Sequence, residues 1–409
     1  MRMMQAVGRT VLSALVLAAL AGAAGCERAD QAAGAVVPEL NRGSGTMLGP
    51  VNPVLAARGK QIFRFDDFGD SIFWTHTLRL NEVVQTLTPV QALGLGLKVD
   101  VDAIPPAVLS AVLANPAALQ DPATTRALLS LNAVVGVQAT VSGDKVTTIV
   151  VTCALCHSTV DNSVTAGIGH RLDGWPNRDL LVGGIIAASP GLPDGAFKTY
   201  ALSWPRGFYD ARVNLDGNMS GPVVIPPAYG LHGVALETYT GDGPVSYWND
   251  YVAVTQMHGQ GNFSDPRIGV RVTNQGPDLV QPKLTPLREY QLSLAAPAGT
   301  SVDREAAERG RVVFNGQGRC AGCHIPPTFT DAPRLHALSE IPTSSAWALR
   351  SATKMWRTSP LGGVSHHPPF FHDGSAPTLA AVVDRYDTFF HLGLTVGQKS
   401  DLVEYLKSL

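Results

Sequence analysis

Five cysteines occur in the chain, at 26, 153, 156, 320 and 323. Four of them form two Cys-x-x-Cys pairs, each followed at once by histidine: CALCH at 153–157 and CAGCH at 320–324. Cysteines at i and i+3 share one face of a helical turn, so both thiols can add to the two vinyl groups of one porphyrin. The adjacent histidine then reaches the iron. The spacing predicts two covalently bound haem c groups, one on Cys153, Cys156 and His157 and one on Cys320, Cys323 and His324. A structural zinc site would want the pairs about 15–20 residues apart, and a thioredoxin-like dithiol has no need of a trailing histidine twice. Disulfides within each pair would leave both histidines unexplained.

The fifth cysteine belongs to the N-terminus. Arg2 and Arg9 precede an apolar run, Val11 to Ala24, too short for a comfortable membrane span and built like a secretory signal. The run closes on Ala23-Ala24-Gly25-Cys26, which resembles a bacterial lipoprotein signal whose cysteine is acylated. Ordinary cleavage nearby, with Cys26 left as a free thiol, is the alternative. The expectation is a periplasmic protein held to the membrane by lipidated Cys26. The formal charge is −2 and no run of Lys or Arg occurs, so nothing predicts nucleic acid as a partner. A redox protein, as donor or acceptor, is expected instead.

The elements that must position the two motifs follow one plan twice. Arg309-Gly310-x-x-x-Phe314, preceded by Ala306 and Ala307, reads as the opening helix of a cytochrome c domain, and Ala56-Ala57-Arg58-Gly59-x-x-x-Phe63 repeats it. In the second half the haem motif follows directly; in the first it is delayed by an insertion. Within that insertion Pro105–Leu113 and Pro122–Leu131 read as short helices with proline near the start. Val135–Val141 and Lys145–Val151 read as a hairpin around Ser142-Gly143-Asp144, delivering the chain to Cys153. The insert is expected to be scaffold. Thr395 with Gln398 makes a capping box for a closing amphipathic helix with Val396, Leu402, Val403, Leu406 and Leu409 on its apolar face. Gly (41) and Pro (29) are abundant and only 16% of residues are charged, so much loop is expected.

The predicted fold is therefore mainly α: two cytochrome c-like haem domains with loop-rich segments and a small β-hairpin insert in the first. The divisions are 1–25 signal peptide, 26–50 tether, 51–300 N-terminal haem domain with its insertion at 64–152, and 301–409 C-terminal cytochrome c domain.

Residues 357–383, RTSPLGGVSHHPPFFHDGSAPTLAAVV, resemble a segment of the bacterial di-haem cytochrome c peroxidases in which a Pro-Leu turn leads to a Phe-His-Asp-Gly loop and a helix. The same segment occurs in the methylamine dehydrogenase maturation enzyme and the haem-dependent rubber oxygenases, so fold transfers better than activity. In the peroxidases a methionine fourteen residues beyond that loop's histidine ligates the electron-transfer haem; fourteen beyond His372 stands Tyr386. The maturation enzyme uses a tyrosine ligand, so the resemblance implies Tyr386 as distal ligand of the second haem, with Met355 its rival. Arg357 is expected to pair with a haem propionate, as its planar fork suits a carboxylate. Glu237-Thr238-Tyr239-Thr240-Gly241-Asp242-Gly243 looks like a worn Trp-Asp-Gly loop of the same family. The glutamate expected after it is missing, and Asn249 and Asp250 do not inherit the role securely. Met257, His258 and His170 are the distal candidates for the first haem, beside an open iron.

Two functions follow. An electron-transfer cytochrome needs only what the motifs provide, and the missing glutamate favours it. A peroxidase- or oxygenase-like enzyme, with an open first haem and a relay through Trp248, Trp175 or Trp204, explains two dissimilar haem domains.

Overall fold

The computed structural model describes residues 49–301 and 303–409, which belong to one compact unit. Residues 1–48, which include Cys26, the expected signal and nearly all of the expected tether, lie outside the described residues. The described chain is mainly helical, and each of its sheets has two strands. No described helix is long and apolar enough to cross a membrane.

The repeated Arg-Gly-x-x-x-Phe is a helix-crossing device. Helix Pro53–Phe65 begins at Asn52, whose Oδ1 accepts from the N–H groups of Val54 and Leu55. Gly59 lets it lie on helix Gln281–Ser293: a Cβ there would sit 1.9 Å from the Pro286 carbonyl oxygen and 2.7 Å from the Tyr290 Cβ. Helix Arg304–Asn315 meets helix Val396–Ser408 in the same register, since a Cβ on Gly310 would sit 1.9 Å from the Asp401 carbonyl oxygen and 2.8 Å from the Tyr405 Cβ. Four residues past each glycine a buried phenylalanine meets that tyrosine edge-on, Phe63 on Tyr290 at 5.4 Å and Phe314 on Tyr405 at 5.1 Å. Any larger residue at 59 or 310 would force each pair of helices apart.

The insertion has its own core, in which Leu80, Val99, Ile104, Leu128, Leu129, Val134 and Ile149 meet. Helices Pro106–Ala114 and Pro122–Ser130 and the hairpin of Val137–Ser142 with Lys145–Val151 stand where the sequence predicts them, the strands joined by a turn with Gly143 at φ +62°. Helix Val396–Ser408 carries the expected box, with Thr395 Oγ1 accepting from the Gln398 N–H and the Gln398 side chain from the Thr395 N–H.

A buried ionic cluster joins the segment after residue 208 to the segment before Met355. Asp242, in the worn loop, pairs with Arg212, both almost fully buried. Its Oδ1 also accepts from the N–H of Thr353 at 3.2 Å, while Arg350 pairs with Asp210 at 3.0 Å and Asp216 at 2.7 Å. Asp242 is thus a structural clamp for its loop.

Candidate functional site

Both Cys-x-x-Cys-His turns are clamped through the backbone. At the first, the N–H of Asn177 donates to the Cys156 carbonyl and that of Gly174 to the His157 carbonyl, each at 2.8 Å. Ser158, the next residue, gives its hydroxyl to Asp173 at 2.7 Å. His157 Nδ1 lies 3.1 Å from the Pro226 carbonyl oxygen. At the second, the His324 N–H returns to the Cys320 carbonyl at 2.9 Å, and His324 Nδ1 lies 2.9 Å from the Phe329 carbonyl oxygen. A carbonyl only accepts, so Nδ1 carries the proton in both rings and Nε2 keeps its lone pair. That is the tautomer an iron ligand needs, with the orienting hydrogen bond on the far nitrogen. Burial reinforces it, lowering His157 to about 4 and shifting His324 downward as well.

No disulfide joins the four motif cysteines. Burial pushes Cys153 and Cys156 up to about 12 and Cys320 up to about 11. A redox dithiol needs the opposite shift, so the thioredoxin-like alternative does not fit.

One cavity of about 1440 Å³ is lined by both motifs, all six Cys and His residues included. Most of its wall is aliphatic and aromatic. Its polar exceptions are informative: Arg178 Nε and Nη1, Arg357 Nε, Glu237 Oε1 and Trp356 Nε1 are buried in the wall without a hydrogen-bond partner. Unpaired guanidinium donors beside an apolar hollow suit a flat apolar ring system that carries carboxylates, and a haem with its two propionates is such a group. The residues present therefore fit the cofactor predicted from the motifs.

The cavity sorts the distal candidates. Tyr386 lines it, its ring stacked on Phe390 at 5.8 Å; burial first, then the Cys323 and Cys320 thiols, shift its hydroxyl upward. Met355 lies outside the lining, beside the Thr353 hydroxyl that its N–H meets at 3.2 Å. Met257 lines the cavity from the end of the π-helical turn Val252–Gln256. Its neighbour His258 points away, stacked on Phe73 at 3.6 Å, and His170 is exposed, bound to Asp102 at 2.9 Å. Arg357 lines the cavity and also has protein partners, donating through Nη1 to the Leu236 carbonyl at 2.8 Å and to Glu237 at 3.4 Å, while its buried Nε is unpartnered and faces the group the cavity would hold. Of the three tryptophans suggested as relays, Trp248 alone lines the cavity.

These placements predict that Tyr386→Phe, which removes only an oxygen, shifts the ferric absorption spectrum and lowers the ferric stability of one haem while leaving thermal unfolding nearly unchanged. Met355→Leu should leave both spectra as they were. The reverse pattern would make Met355 the ligand.

Several cavity residues have a role that their neighbours in the chain do not reveal. Glu237 is one: its carboxyl is 7% exposed and burial raises it to about 7, against the pull of Arg357. Arg178 and His367 are others, joined where Arg178 Nη2 donates to the His367 carbonyl at 2.8 Å. The His366-His367 pair before two prolines was the available signal. A smaller polar group, Cys323 Sγ with Asp331 and His336, gathers within 4.8 Å, but both His336 nitrogens are engaged, with Asp331 at 3.0 Å and Glu340 at 3.3 Å.

No protein-family model and no curated protein matches the chain. Among solved structures it is similar to hydrazine synthase of Kuenenia stuttgartiensis, with a TM-score of 0.36 and 17% identity over 51% of this chain and 79% of that one. A MauG-like protein associated with microbial copper homeostasis has a TM-score of 0.32 and 16% identity over 50% of this chain and 78% of that one. A variant of the dihaem peroxidase BthA from Burkholderia thailandensis has a TM-score of 0.32 and 14% identity over 46% of this chain and 71% of that one.

Proposed function

We propose that this chain is a dihaem c-type oxidoreductase of the peroxidase kind, with both haems in one cavity and the first iron open to peroxide. The observation that carries this reading is Glu237, a buried carboxyl in the shared cavity with one oxygen unpartnered. The sequence favoured plain electron transfer because no such acid was evident; its presence reverses that preference. Tyr386 in the cavity and Met355 outside it point the same way, since an anionic oxygen ligand suits a low-potential haem that shares oxidising equivalents.

In this reading the cofactors supply the redox chemistry at Cys153, Cys156 and His157 and at Cys320, Cys323 and His324. The chain's own residues do the rest. His157 and His324 present Nε2 lone pairs fixed by the carbonyls of Pro226 and Phe329. Arg178 and Arg357, with unpartnered guanidinium nitrogens in the wall, would hold the propionates. Glu237 takes a proton from the approaching peroxide and returns it to the departing oxygen, with Arg357 holding the carboxylate in place at 3.4 Å.

Carbon monoxide added to the reduced holoprotein tests the open site. One haem is expected to bind the gas and shift its absorption band, with the other unaffected. If neither shifts, both irons are six-coordinate and the chain is an electron-transfer cytochrome.

A further inference from the structure

Shortly after helix Pro53–Phe65 in the chain stands a pair of side chains that the mechanism above leaves unused. Asp70 is 1% exposed. Its Oδ2 accepts the indole N–H of Trp74 at 2.7 Å, and its Oδ1 has no hydrogen-bond partner. Trp74 lines the cavity and shares an apolar cluster with Val151 and Leu155, which lie on either side of Cys153 in the chain. All six tryptophans fall among the described residues, and two of them make an indole hydrogen bond. Trp248 donates to the carbonyl of Glu237, a group too weakly basic to keep a proton; Trp74 donates to a carboxylate, which can.

The surroundings are also unusual. Trp74 sits in the π-helical turn Phe73–Thr77, a geometry found mostly as single turns and frequently at functional sites. Phe73 meets Trp74 edge-on at 5.1 Å and stacks at 3.6 Å on His258, which is exposed. An aromatic row thus runs from the cavity wall to the surface.

We propose that Trp74 and Asp70 form a proton-coupled redox site beside the first haem. The inference rests on the dihaem reading above. The indole gives one electron to an oxidised iron porphyrin attached at Cys153 and Cys156. Its Nε1–H bond breaks and an O–H bond forms on Asp70 Oδ2, leaving a neutral tryptophanyl radical, a neutral aspartic acid and an iron centre one electron more reduced. The step removes the buried negative charge that desolvation disfavours. Burial, with Asp67 and Asp66 close by, raises the Asp70 carboxyl to about 8, so above that pH it is ionised and a better proton acceptor than an ordinary carboxylate. Through Phe73 and His258 a one-electron donor at the surface can return the electron.

The test uses holoprotein whose two haems are verified by intact mass and absorption, held at pH ~9 so that Asp70 is ionised. It is mixed with hydrogen peroxide, freeze-quenched for EPR, and digested to map oxidised tryptophan by mass spectrometry. The expected result is an organic radical whose hyperfine pattern changes with ring-deuterated tryptophan, and oxidation at Trp74 about tenfold above any other tryptophan. W74F should abolish the radical. D70N still accepts the indole hydrogen bond but takes no proton, and should lower the radical yield about tenfold with both haem spectra unchanged. A peroxide-treated protein whose haem spectra change while Trp74 stays intact overturns the proposal and spares the dihaem reading. If peroxide leaves the haem spectra unchanged, the open-site reading fails instead, and a photogenerated ruthenium(III) polypyridyl oxidant supplies the hole: Trp74 must still be the preferred site. The labelled wild-type protein decides the matter even where a variant does not fold.

Discussion

Replacing both thiols of the first motif, C153A/C156A, is expected to leave one covalently bound haem per chain where the parent protein carries two. Intact mass under denaturing conditions reads this directly, because a haem held only by His157 and packing is stripped away. C320A/C323A should give the mirror result. The stability effect should be large as well: each 100 Å² of apolar cavity wall returned to water costs about 2.5 kcal/mol, and a porphyrin covers several times that area. Urea unfolding should show the variant losing about 4 kcal/mol or more, among the largest effects a local change produces. Two haems retained by the double variant would contradict covalent attachment at these cysteines.

The second large effect is expected at Glu237. E237Q preserves shape and the carbonyl oxygen facing Arg357 but cannot exchange a proton, so peroxide turnover should fall by roughly 10²-fold or more. Its pH dependence has a definite sign. Burial holds the carboxyl to about 7, so the base form is scarce below that pH and dominant above it. The parent's rate should rise with pH through about 7 and then level, and E237Q should lose that limb while keeping both haem spectra. A variant with the parent's rate and profile would remove Glu237 from proton transfer and leave the electron-transfer reading in its place.

What the sequence could convey depended on how local the determinant was. The proline-started helices, the Gly143 hairpin and the Thr395 box are each specified by residues a few positions apart, and they stand where expected. The Arg-Gly-x-x-x-Phe repeat was visible as a pattern, but its meaning lies in Pro286, Tyr290, Asp401 and Tyr405, far away in the chain. Met257 and His258 were indistinguishable as neighbours. The π-helical turn before them sends one into the cavity and the other against Phe73. Glu237 carries no visible role within its worn loop, because its burial and the company of Arg357 arise only when residues near 237 and 357 meet. The contacts of Arg357 with the Leu236 carbonyl and Glu237 are likewise long-range and have no signature near residue 357.

The glycine-mediated helix crossings impose a schedule on the growing chain. In the first half the helix that receives Gly59 is Gln281–Ser293, more than a hundred residues after CALCH; in the second the helix that receives Gly310 is Val396–Ser408, the last element. Contacts this distant in sequence form late, since loop closure must come before they contribute. A chain that emerges N-terminus first therefore presents each Cys-x-x-Cys-His turn to its surroundings before the helix that completes the lobe exists. Ligation can run on an open strand, and the closing helices then shut each lobe over its cargo. Time, as much as shape, separates attachment from burial in this protein.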